Sequence, residues 1–450
     1  MARLLKKVIE DCKIYTLFLD HGEWFTISFM DYDDFHLTKE GARALDREDA
    51  LRSFRREFCF PSSCEAYFAG HSLGLRPRQT EEFVGEELEA WAKMGVKGHF
   101  APKSHWFSYH ESAAPPLARL VGAKEREVVA MNSLTVNLHL MLVSFYRPTR
   151  KRYKILIENN SFPSDKYAVD SQARFHGFDP KEAIIELKAD RGITVSWESM
   201  METMDEHGDS LALVMLGNCN YLSGQCFDME KMASRAKSCG AFVGFNLAHG
   251  AGNLKLDLHK WGVDFAVWCS YKYLNSGPGG IAGAFIHENH HTDPHIPRFE
   301  GWWGSDKKTR FAMGPNFSPS AGAEAWQLSN PAIFQLAALR SSLDLFDRAG
   351  MEKIAIKRDR LTLYLEALLQ KLCPGRYEIM TPPWKEGGQM RGGMLCLRFR
   401  EGAQKIEKKL SDEGIIVDFR PPDIIRIAMA PLYNNHEDVF QLVEALSGPT

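Results

Sequence analysis

Apolar runs of strand length recur through the middle of this chain with helical stretches between them, and that alternation constrains the fold most. The runs are Tyr153–Glu158, Ala183–Leu187, Leu211–Leu216, Ala241–Phe245, Phe265–Cys269 and Ala282–Ile286; Met229–Ser238 is one of the helical stretches. Strands alternating with helices predict a mostly parallel sheet with helices on its faces, an α/β architecture. Ligands bind such sheets beyond the carboxyl ends of the strands. Residues just after each run are therefore the first candidates for chemistry.

The character changes after Pro331. Phe334–Arg348 and Lys353–Leu372 read as long amphipathic helices, Gly392–Phe399 and Ile424–Met429 as strands, and Asn435–Leu446 as a closing helix. This predicts a smaller α+β unit. The expected division is an N-terminal extension at 1–38, a helical segment joining the small domain at 39–66, a large domain at 67–332, and a small C-terminal domain at 333–450. Within the extension, Lys13–Leu19 and Trp24–Met30 flank a polar turn and read as a hairpin. It is expected to be a decorative extension or a mistaken start of the coding frame, and not a functional module. Thr38 can cap a charged helical stretch reaching Glu57, and Glu81–Met94 is a second amphipathic helix.

Lys272 carries the strongest chemical signal. It stands between Tyr271 and Tyr273, after the run ending at Cys269 and before Gly277-Pro278-Gly279-Gly280. A lysine at the end of a buried strand is costly unless it is neutralised or reacts. A Schiff base to an aldehyde cofactor achieves both, and pyridoxal phosphate is the usual such cofactor. Asn246 ends the preceding run and His249 follows three positions on, so a flat ring can be held from two sides. Thr135, at the start of a helix opened by Ser133, is a natural phosphate seat, because free N–H groups and the helix dipole favour an anion there.

Bulk properties narrow the classes further. Hydrophobic content of 44% and charged content of 25% are those of a soluble globular protein. A net charge of −3 gives no reason to expect nucleic acid or an anionic membrane as partner. No run approaches the ~20 apolar residues of a membrane span. The nine cysteines are scattered, which favours reduced thiols in a cytoplasmic setting, and no zinc spacing is visible. His287, His290, His291 and His295 cluster beside Pro294 and Pro297; they read as a solvated loop, and no metal is expected. Arg147, Arg150, Lys151, Arg152 and Lys154 read as a surface turn.

Seven segments in order, Tyr67–Leu75, Met131–His139, Phe162–Asp165, Trp268–Asn275, Gly301–Gly304, Leu328–Pro331 and Arg426–Asn434, resemble kynureninase, a family of fold-type-I pyridoxal-phosphate enzymes. The resemblance spans about residues 45 to 445. It implies a transferase-like large domain with a mostly parallel, seven-stranded-type sheet and a smaller α+β domain. The implied reaction is hydrolysis of kynurenine or 3-hydroxykynurenine to an anthranilate and alanine, in tryptophan breakdown. A cytoplasmic homodimer with sites at the subunit interface is implied as well.

Carried over by position, the resemblance gives Lys272 the Schiff base and makes it the base that removes the α-proton. Leu134 and Thr135 would meet the cofactor phosphate, with Tyr271 and Trp302 as further donors. Phe162 would stack on the ring, with Asp165 and His249 beside it. Ser72, His99 and Asn330 would contact the substrate, with Asn330 also at the cofactor site, and Arg426 would take the substrate carboxylate. On the residues alone, an internal ion pair at Arg426 is an equal reading.

Three positions depart from the family pattern. Asn246 stands where the family has an aspartate, Gly217 where some members offer a serine to the cofactor, and His71 where asparagine is usual. If residue 246 meets the ring nitrogen, a neutral partner weakens the electron sink, and Asn246→Asp is expected to raise kcat. The alternative reading is a diverged paralogue with weak or no activity, or one serving a specialised pathway. A class-V aminotransferase or desulfurase is a third reading, against which Phe162–Asp165 and His99 argue.

Overall fold

The computed structural model describes residues 14–18, 24–28, 32–100, 105–383 and 391–448. Seven strands form the large sheet: β1 (Val128–Ala130), β2 (Lys154–Ile157), β3 (Ile184–Glu186), β4 (Leu211–Gly217), β5 (Phe242–Asn246), β6 (Phe265–Trp268) and β7 (Gly283–Ile286), in the order β1-β7-β6-β5-β4-β2-β3. Only β7 runs against its neighbours; the pairs β6-β5, β5-β4, β4-β2 and β2-β3 are parallel. The central strands are almost wholly apolar because both faces are covered. Val214, Leu216, Val243, Phe245 and Trp268 join the core on one face, and Leu213, Met215, Phe265 and Val267 that on the other.

Helices follow several of these strands. Leu134–Phe145 comes after β1, Pro163–Phe175 after β2, and Met229–Ser238 joins β4 to β5. The first two begin at the edge where Glu158, Gly217, Asn246 and the Lys272 loop emerge.

The small domain has a four-stranded antiparallel sheet, β8 (Glu378–Ile379), β9 (Met394–Arg398), β10 (Asp418–Arg420) and β11 (Ile424–Ala428), ordered β8-β9-β11-β10. Its core holds Leu361, Leu365, Leu395, Ile425 and Val439, together with Ala42, Leu45, Ala66 and Phe68 from the N-terminal segment. The boundary at 333 differs from the packing. Helix Ile333–Ala349 puts Leu336, Leu343 and Phe346 into the large-domain core, and the handover falls within the next helix, Met351–Leu372. Both helices are amphipathic, so their pattern alone did not reveal which core each faces.

The stretch expected to be helical from Thr38 is a helix only over Lys39–Glu48. Thr38 Oγ1 accepts from Gly41 N at 3.1 Å, and a tighter 3₁₀ turn follows at Arg52–Glu57. Ile14–Phe18 and Trp24–Ser28 pair antiparallel, as the hairpin reading expects; the turn between them lies outside the described residues. The histidine cluster is not a solvated loop. His287 is buried, His290 Nε2 lies 2.8 Å from Asp264 Oδ1, and His291 Nε2 meets the Ile286 carbonyl at 2.9 Å; of the four, only His295 is exposed. Among the described residues, no helix is long and apolar enough to cross a membrane.

Candidate active site

The carboxyl edge of the large sheet gathers a set of buried polar groups. Asn246 ends β5, and Asp165 lies in the first turn of the helix after β2. Asn246 Nδ2 donates to Asp165 Oδ2 at 2.7 Å, while Asn246 Oδ1 accepts from Ala248 N at 2.9 Å. The amide is thus fixed from both ends. Asp165 Oδ1 is buried without a partner. Burial pushes the Asp165 carboxyl up to about 6, against the opposing pull of Asn246 and Lys272.

Glu158, the residue after β2, is buried behind this pair. Its Oε2 accepts the Gly217 N–H. Burial pushes its carboxyl up to about 8; the Gly217 bond opposes the rise and Asp165 adds to it. A Cβ on Gly217 would stand 2.6 Å from Glu158 Oε1. A serine at this position would therefore press on that carboxyl, a physical reason for the glycine.

Lys272 Nζ lies 5.9 Å from the centre of the Phe162 ring. Burial, above all, holds its ammonium below the ordinary lysine range; Arg426 lowers it further, and Cys269 and Asp165 pull the other way. Phe162 meets Tyr221 edge-on at 5.3 Å and keeps 44% of its surface exposed. His249 is buried with Nδ1 unpartnered, as are both ring nitrogens of His71 and the Tyr273 hydroxyl. The rings of His71 and His249 lie 5.9 Å apart, and those of His249 and Tyr273 6.3 Å. Unpartnered buried polar atoms are costly, so these mark the walls of a site for a polar ligand.

Arg426, in β11, is 2% exposed. Its Nε and Nη2 donate to Asp418 Oδ1 at 2.9 and 2.8 Å, and Nη1 donates to the Tyr221 carbonyl at 2.8 Å. The internal ion pair is therefore present. Guanidinium has five N–H groups; these three bonds leave one on each terminal nitrogen, the end-on fork that suits a carboxylate.

At the start of the helix Leu134–Phe145, Ser133 makes no side-chain cap. Thr135 Oγ1 lies 2.9 Å from Ser164 Oγ, which joins this helix start to that of Pro163–Phe175. Two helix N-termini thus meet at one anion seat.

Of the other expected residues, His99, Trp302 and Asn330 are not joined to Lys272 by any contact among the described residues. His99 packs against Trp106 at 5.4 Å and Phe107 at 5.9 Å; Phe107 in turn meets Trp303 and Phe311. The Trp302 indole N–H donates to the Arg310 carbonyl at 3.2 Å, and the ring meets Phe311 at 5.5 Å. Asn330 is exposed and lines a cavity of about 270 Å³ with Asn132, Ser133 and Gly279. Ser72 is exposed, and Tyr271, beside Lys272, has its hydroxyl pushed up to about 12 by burial.

Sequence reading missed Glu158, Ser164, Tyr221 and Asp418. Glu158 had the same signal as Asn246, a polar residue ending an apolar run; the others carried none.

Two groups among the described residues resemble metal sites, Glu127–His259–His287 and His110–Glu111–Glu324. Glu127 already accepts from Lys124 N and Glu288 N, each at 2.9 Å, and the rings of His259 and His287 stack at 11°, so their in-plane lone pairs do not converge. In the second group the Lys307 ammonium already bridges both glutamates.

Comparison with known proteins adds the family. Two bacterial proteins named kynureninase are similar throughout. That of Myxococcus xanthus is 57% identical over 412 residues, covering 90% of this chain and 96% of that protein. That of Koribacter versatilis is 48% identical, covering 91% and 97%. Among solved structures, a cysteine desulfurase from Thermococcus onnurineus shares the fold alone, at TM-score 0.70 and 17% identity, with 88% of this chain and 96% of that one covered. The cystine C-S lyase C-DES behaves likewise, at TM-score 0.70 and 18% identity, with 87% and 100% covered. Residues 354–446 match the kynureninase C-terminal domain, and with relatives this close over nine-tenths of its length the chain belongs to the kynureninase family.

Proposed function

We propose that this chain hydrolyses the Cβ–Cγ bond of kynurenine or its ring-hydroxylated form, with pyridoxal phosphate as cofactor, releasing an anthranilate and alanine. The observation that carries the reading is the half-buried Lys272, with its lowered proton affinity, beside a buried carboxylate that has one free oxygen. The unpartnered atoms of Asp165, His249, His71 and Tyr273 fit a flat polar ring with an attached substrate.

The cofactor supplies an aldehyde that condenses with amines and a ring that takes up an electron pair. The chain's own groups do the rest. The two helix starts, with Thr135 and Leu134, hold the phosphate. Phe162 would cover one face of the ring. Asp165 Oδ1 would accept the ring N–H, and Asn246 holds Asp165 in place through its other oxygen. This moves the ring-nitrogen role from residue 246 to residue 165, so the neutral Asn246 does not leave the ring without a carboxylate. Arg426 presents its end-on fork to the substrate carboxylate. Lys272 Nζ, as a neutral amine, removes the proton from the substrate α-carbon.

The aromatic cluster that holds His99 and Trp302 carries exposed apolar surface, including Phe100 and Phe311 at 69% and 53%. This supports a homodimer in which a second copy covers that cluster. The described cysteines are free thiols, which fits a reducing, cytoplasmic setting. Purified protein incubated with each kynurenine separately, followed by product analysis, tests the reading. Release of the matching anthranilate and alanine supports it; cofactor-loaded protein that releases neither from either substrate contradicts it.

A further inference from the structure

His71 is fully enclosed, at 1% exposure, yet neither ring nitrogen has a partner. Its position is set by backbone links on two sides. It lies in a tight turn in which Ser72 N and Leu73 N both donate to the Ala69 carbonyl, at 2.8 and 3.1 Å. Ala69 bridges Ala428, two residues from Arg426 on the same face of β11. On the other side, Gly74 N donates to the Tyr271 carbonyl at 2.8 Å, and a Cβ on Gly74 would stand 2.2 Å from the Lys272 carbonyl oxygen. The turn is thus wedged between the segment bearing Lys272 and the strand bearing Arg426.

That placement selects a part of the substrate. The α-amine goes to the cofactor at Lys272 and the carboxylate to Arg426. The remaining arm of the α-carbon, which carries the γ-ketone, faces the turn. We propose that His71 accepts a proton from the water that attacks the γ-ketone and returns it to the departing β-carbon. The water oxygen bonds to Cγ, its proton goes to the imidazole, and the carbonyl pair becomes an oxyanion. Collapse of that oxyanion breaks Cβ–Cγ; Cβ keeps the bonding pair and takes the proton back from the imidazolium. One water is consumed and no oxidant is needed.

The charged and titratable groups acting on His71 are Arg426, Lys272, Arg420 and His249. In the free site, burial first, then the three cations, hold the imidazole well below its ordinary range, which keeps it neutral. A substrate carboxylate on Arg426 neutralises the largest cationic influence. The imidazole therefore becomes a better base when substrate arrives.

This inference rests on the proposed function. Its test uses cofactor-loaded enzyme and β-benzoylpropionate, which carries the carboxylate and the γ-ketone but no amine. Calorimetry near neutral pH, in two buffers of different ionisation enthalpy, should show proton uptake on binding to the wild type and less uptake with His71→Asn. With kynurenine, His71→Asn should lower kcat by about 10²-fold or more and remove the acidic limb of its pH profile, with KM changed by less than about threefold. His71→Gln serves as a second variant if the first fails to fold. Equal proton uptake in wild type and variant, or an unchanged kcat, overturns the role of His71 alone. A wild type that binds the cofactor but never cleaves kynurenine defeats the functional reading, and this inference with it.

Discussion

Replacing Glu158 by glutamine should make the protein less sensitive to alkaline pH. The wild-type carboxyl titrates near 8 in the folded chain and near 4.5 when free. Between those values the folded state holds a proton that the unfolded state has lost, so stability falls as pH rises and levels off above about 8. At about 1.36 kcal/mol per pH unit, the loss between roughly pH 5.5 and pH 8.5 is about 3 kcal/mol. Glutamine keeps an oxygen for the Gly217 N–H but cannot titrate. The contribution from Asp165, raised to about 6 by burial, has the same sign and stays in both proteins. Urea unfolding at the two pH values, with both proteins at equal cofactor loading, reads the difference directly. The advantage of Glu158→Gln should grow by about 3 kcal/mol from acid to alkaline conditions. Parallel pH profiles for the two proteins would refute the buried-acid reasoning.

Three further substitutions probe the site. Asp165→Asn removes the carboxylate placed at the ring nitrogen and should lower kcat by roughly 10²–10³-fold in steady-state assays, while the cofactor stays attached. Asn246→Asp brings a second carboxyl against Asp165, where the pair would share a proton. Its effect on kcat should be smaller than that of Asp165→Asn, and a larger effect would return the ring-nitrogen role to residue 246. Arg426→Lys loses the planar fork and should raise KM about 10- to 100-fold; an unchanged KM would leave Arg426 as a partner of Asp418 only.

The large sheet was legible because its strands are buried on both faces, so runs such as Leu211–Leu216 and Phe265–Cys269 stand out as continuously apolar. Lys272 was legible for the same reason, as a charge at the end of such a run. The contacts between side chains were not. Nothing in the spacing of Asn246 and Asp165 reveals that they meet, because a helix start and a strand end converge only in three dimensions. Arg426 and Asp418 are paired across adjacent antiparallel strands whose register the sequence does not print. The histidine cluster was misjudged because its partners, Asp264 and the Ile286 carbonyl, come from outside the proline-rich stretch or from the end of β7.

The most direct test is chemical. Cofactor-loaded protein is reduced with borohydride, digested and sequenced by mass spectrometry. A pyridoxyl group on the Lys272 side chain is the predicted result. The same group on another lysine, or on none, would contradict the placement of the whole site.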